Sequence, residues 1–178
     1  MAVTQFNLPD RQRAERKLLI TVAEWTEGTS PVREILGTRT EDSSIEYNAD
    51  IETTTDIRGI NYTDVNRTQP QQTFDPYLIL GGSKLGAKLN DIRRRNAVSE
   101  LNQFTVYVIT AFAGTAGAYE AECHQNCTIT YTAIGGDSNV NMPIDVYLSN
   151  DYNGTGAPGN GTVDKLSDDF VYTPATQG

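Results

Sequence analysis

The segment 43–57, SSIEYNADIETTTDI, alternates residue by residue. Successive side chains of an extended strand point to opposite sides, so a period of two predicts a strand with two chemically different faces. One face carries Ile45, Tyr47, Ala49, Ile51, Thr53, Thr55 and Ile57, and is expected to cover a core. The other carries Glu46, Asn48, Asp50, Glu52, Thr54 and Asp56, which lines up four carboxylates on one side of a sheet. The β-branched run continues through SIEYNADIETTTDIRGINYTDV with Gly59 inside it. A glycine there can supply a bend, so a long hairpin is expected over residues 37–76, with Pro70 and Pro76 marking an edge or a connection.

Elsewhere the pattern is mostly β. LLITVAEW reads as a first strand, preceded by an arm over residues 1–17 that carries Arg11, Arg13, Arg16 and Lys17. In QFTVYVITAFAG both alternating faces are apolar, which predicts a central strand. One helix is expected over residues 83–100: Leu85, Leu89 and Ile92 recur at helical spacing, and Ser83 can cap the start. Asp91 and Arg95 can pair across one turn, while Arg93 and Arg94 leave a cationic side for solvent or a partner. Residues 151–164 are rich in Gly and Asn and read as a flexible loop before a short last strand, DDFVYTP. Several strands and one helix in 178 residues predict a single α+β, mainly β domain over residues 1–178.

Composition limits the function. A net charge of −9 opposes adhesive wrapping of DNA, because binding to phosphates runs on cation contacts. No apolar run approaches the length of a membrane helix or a secretory signal, so synthesis in a cytoplasm and no membrane insertion are expected. Cys123 and Cys127 lack a second ligand pair and read as free thiols beside the single histidine, His124. No phosphate loop, HExxH helix or nucleophile elbow is present, and His124 has no signature tying it to a Ser or Asp partner. Glu46, Asp50, Glu52 and Asp56 would stand in a line about 6–7 Å apart, a poor cage for calcium. The expectation is therefore no enzyme, no cofactor and no metal. Five N-x-[ST] triplets, at Asn61, Asn66, Asn126, Asn153 and Asn160, are the incidental product of a threonine-rich β sequence.

GTRTEDSSIEYNADIETTTDIRGINYTDVNRTQPQQTFDP resembles the long hairpin region of bacteriophage major tail tube proteins, where an E-T-x-T-D-I-x-G segment and a later P-Q-Q recur. The resemblance covers residues 37–76 best, with the helix and later strands in the same order. It implies two packed antiparallel sheets, sandwich- or barrel-like, with one flanking helix and a long hairpin. It further implies a structural virion protein made in the host cytoplasm, whose hexameric rings stack into the hollow tube that carries the genome to the host cell. Implied partners are other copies, a tape-measure protein, a tail terminator, baseplate or tip proteins, and double-stranded DNA in passage. The same tube serves contractile tails and tail-like bacteriocins.

On this reading Glu46, Asn48, Asp50, Glu52 and Asp56 would line the lumen and repel DNA, and Arg11, Arg13, Arg16, Arg93 and Arg94 would lie at subunit interfaces. The alternative from the residues is a β-sandwich carbohydrate-binding module, with Trp25, Tyr62 and Tyr152 as a sugar platform.

Overall fold

A computed structural model describes residues 5–176. Its strands are β1 (Leu19–Glu27), β2 (Ser30–Ile35), β3 (Ile45–Glu46), β4 (Asp50–Thr55), β5 (Asn61–Arg67), β6 (Gln71–Phe74), β7 (Phe104–Thr115), β8 (Ala118–Tyr131), β9 (Ile144–Tyr147), β10 (Gly159–Val163) and β11 (Tyr172–Pro174). One helix, α1 (Lys84–Arg95), precedes β7. The expected α+β, mainly β class with one flanking helix is what the structure shows.

Nine strands form one antiparallel sheet ordered β2-β1-β7-β8-β9-β6-β3, with β10 beside β8 and β11 outside β10. β8 is long enough to serve two layers: residues 119–123 pair with β10, and residues 128–131 pair with β9. Between these stretches Asn126 takes a positive φ of 56° and the register against β7 shifts, so the strand turns from one layer into the other. The two ends of the sheet then meet. Thr21 Oγ1 on β1 donates to Gln72 Oε1 on β6 at 2.7 Å, although these strands are not neighbours in the ladder. Between the layers lies the main core: Ala23, Trp25, Phe104, Val106, Ile129, Ile144, Val146 and Phe74, closed by Leu85, Leu89 and Ile92 of α1. β7 is central and buried on both faces, as its two-sided apolar pattern requires.

The start of α1 is held twice. Ser83 Oγ accepts from the Gly86 N–H at 3.3 Å, the cap expected from sequence. Glu34, reaching across from β2, accepts from the N–H groups of Lys84 at 2.5 Å and Leu85 at 2.9 Å and from the Tyr77 hydroxyl at 2.7 Å. The helix is shorter than residues 83–100. Asn96 adopts φ 53°, which ends it, and Val98–Asn102 forms a separate 3-10 turn. Asp91 and Arg95 pair at 2.7 Å.

A second apolar cluster, with Val22, Tyr107, Ile109, Ala121, Cys123, Val163 and Phe170, covers the opposite face of the β1–β7–β8 layer. Arg33 ties the later chain down: its guanidinium stacks 4.1 Å from the Phe170 ring and donates to the Phe170 carbonyl at 2.5 Å. The expectation of a flexible loop over residues 151–164 is corrected here, because its second half is β10. A Cβ on Gly159 would meet the Tyr152 ring at 2.6 Å, and one on Gly161 would meet the Thr173 carbonyl oxygen at 2.4 Å. These glycines let a strand pass beneath aromatic rings and a neighbouring backbone, a role that composition alone does not separate from looseness.

Candidate functional site

The acidic segment divides in two. β3 pairs with β6 at Ile45–Gln72 and Glu46–Gln71 and belongs to the main sheet. Asn48 then takes φ 45°, while its amide donates to the Gln69 carbonyl at 3.1 Å and the Gln69 N–H bonds the Tyr47 carbonyl at 2.7 Å. Beyond this twist β4 and β5 form a separate two-stranded sheet. Glu46, Asn48 and the Asp50–Asp56 series therefore do not share one strand face. A left-handed Asn interrupts the alternation while looking, in sequence, like its next polar member.

Every residue of β4 and β5 is exposed. Facing pairs define two surfaces. One carries Ile51 opposite Val65, Thr53 opposite Thr63 and Thr55 opposite Asn61, with the Thr53 and Thr63 hydroxyls 3.2 Å apart. The other carries Glu52 opposite Asp64 and Thr54 opposite Tyr62. The expected core face is thus overturned for Tyr47, Ile51 and Ile57, which are 56%, 58% and 106% exposed. Only Ile45 packs against the main core. Alternation separates the faces but does not supply a cover, and the curled main sheet fills its core without this hairpin.

The carboxylates differ in what they do. Asp56 locks the tip: it accepts from the N–H groups of Ile60 at 3.0 Å and Arg58 at 2.8 Å, with the Arg58 guanidinium at 3.1 Å. These bonds, the Ile60 N–H foremost, hold its carboxyl below the usual aspartate range. Asp50 lies 3.5 Å from Arg67 across the bulge at Asn66. Glu52 and Asp64 join neither pair and face each other directly. Like charges in that position weaken a ladder, and a two-stranded sheet with no third layer is marginal in water. Asp64 and Val65 escaped the sequence reading, although the same alternation runs through NYTDV.

The five arginines expected at interfaces are scattered. Arg11, with φ 63°, and Arg13 are exposed on the arm. Arg16 instead donates to the Leu19 and Ser43 carbonyls, each at 2.6 Å, and anchors the arm to the sheet. Arg93 bonds Asn90 at 2.8 Å, and Arg94 is exposed beside it.

The sugar platform is not assembled. Trp25 is buried to 4% exposure with its indole N–H on Glu27 at 2.9 Å, Tyr152 packs on Tyr172, and Tyr62 lies on the hairpin with its hydroxyl 3.5 Å from Asp56. Cys123 and Cys127 are free and buried, and burial pushes the Cys123 thiol up to about 11. The buried His124 ring donates through Nδ1 to the Ser149 carbonyl at 2.6 Å. Among the described residues no group of three or more His, Cys, Asp or Glu side chains is placed to hold a metal, and no helix is long and apolar enough to cross a membrane. Comparison with protein-family models, curated proteins and solved structures finds no match for this chain.

Proposed function

We propose that this chain is the structural subunit of a phage-type tail tube, polymerising as stacked hexameric rings in the virion, and that it is not an enzyme. The observation that carries the reading is the free-standing β4–β5 hairpin, with an aliphatic-threonine face and an acidic face and neither covered by any of the described residues. The resemblance of residues 37–76 to the hairpin of tail tube proteins points the same way. In this reading the Ile51–Val65 face packs on a neighbouring copy, and burial of apolar surface there repays a hairpin that is unstable alone. Glu52 and Asp64 then face the lumen.

An acidic lining suits a channel for DNA. Cations at each ring would gain affinity by counterion release from phosphates, and that retention, multiplied along a tube, would stall passage. Carboxylates repel the strand and let it slide. Tape-measure, terminator and baseplate or tip proteins would be the other partners. The test is negative-stain electron microscopy of the purified chain at rising concentration, with its mass in solution. Rings or hollow tubes are expected. A compact monomer that stays monomeric at every concentration, and also when added to tail initiator complexes, overturns the reading.

A further inference from the structure

We infer that the segment around Phe6 and Asn7 is an exchangeable strand that leaves the β7 edge of its own subunit and occupies the same edge on a second copy. The inference rests on the assembly reading for its partner, and on the following geometry for its site. β1 pairs with β7 only as far as Leu19 opposite Thr110, so residues 111–113 of β7 project past the end of their neighbour. That edge is covered by the arm. Phe6 bridges Ala113, the Asn7 N–H donates to the Phe112 carbonyl at 2.9 Å, and the Asn7 amide donates to the Ala111 carbonyl at 3.2 Å. Phe6 meets Phe112 edge to face at 5.3 Å while remaining 67% exposed.

The occupant of this edge is therefore already specified: the edge accepts this sequence and pairs its backbone. The hold is nevertheless slight: a single bridge, one side-chain hydrogen bond and one aromatic contact. Between it and the Arg16 anchor, residues 9–15 are exposed and Leu8 is half-buried. Residues 8–15 extended could span roughly 26 Å, enough to cross to an adjacent subunit. Exchange replaces each bond with an identical one from another copy, so it costs little beyond the change in linker path, and it leaves no edge bare. Arg11 and Arg13 travel with the linker and would lie between copies.

A cysteine pair reads this directly. Because the Asn7 N–H bonds Phe112, Phe6 and Ala113 form the non-hydrogen-bonded pair of the antiparallel ladder, with Cα atoms about 4.5 Å apart, within the range a disulfide spans. In Phe6→Cys/Ala113→Cys, mild oxidation of dilute protein is expected to give monomers with an internal crosslink. Oxidation after concentration into assemblies is expected to give a ladder of covalently linked chains on a non-reducing gel, absent from the wild type, whose two cysteines are buried. Internal crosslinks alone, in particles that electron microscopy shows to be assembled, overturn the exchange. A ladder from associated chains that form no rings or tubes would keep the exchange and reject the tube. Should the double variant fail to fold, the single variants Phe6→Cys and Ala113→Cys are mixed, co-assembled and oxidised: a covalent dimer of one chain of each kind is expected, because exchange brings position 6 of one copy to position 113 of another, and its absence from assembled particles would overturn the proposal.

Discussion

Glu100 shows how much a single side chain can owe to a turn. Its carboxylate accepts from Arg95 at 2.8 Å and from Lys88 at 2.8 Å, and these bonds, Arg95 first, pull its pKa down to about 2. The folded chain thus keeps this site deprotonated where the unfolded chain, with an ordinary glutamate near 4.5, would take up a proton. Its contribution is complete above pH about 4.5 and is lost as pH falls through about 2. Glu100→Gln is expected to lower the thermal midpoint at pH 7, with the gap to wild type closing as both are titrated toward pH 2; a gap of constant size would assign the effect to packing instead. The sequence reveals only part of this site. Asp91 and Arg95 are four apart on one helix and their pairing is legible, whereas Glu100 reaches the same guanidinium because Asn96 reverses the chain, which Glu100's own position does not announce.

At the scale of elements, period two is legible and its consequences are not. The alternation of residues 43–57 separates an aliphatic from an acidic face correctly along β4, yet it reads through Asn48 as though the strand were unbroken. It also assigns the aliphatic face to this chain's own core, when none of the described residues covers it. Cover is a property of the other elements, which the alternation of one segment does not encode. The two uses of the hairpin are therefore separable. Ile51→Lys with Val65→Thr, both at exposed positions, should leave the unfolding free energy of the monomer, from urea titration, within about 0.5 kcal/mol of wild type while abolishing concentration-dependent association. Loss of monomer stability by several times that amount would mean the aliphatic face is covered within the subunit after all.

The whole molecule is closed by an interaction that no local pattern encodes. The sheet curls until β1 meets β6, and the polar link across that seam is Thr21 with Gln72, 3% and 1% exposed. Gln72 is not fully served, since its Nε2 has no hydrogen-bond partner among the described residues. A buried amide left half-bonded is costly, and removing its last partner costs more than removing the pair. Thr21→Val should therefore destabilise by about 1–3 kcal/mol, because it strands the whole amide, and Gln72→Met by less, because it strands only a hydroxyl. The double variant replaces both with apolar groups of similar shape and should lie within about 1 kcal/mol of wild type, well above the sum of the singles. Urea unfolding of the four proteins measures this coupling. A double variant as unstable as that sum would mean the two residues act independently, and would pass the task of holding the curled sheet shut to Phe74, Ile144 and the helix residues packed between its layers.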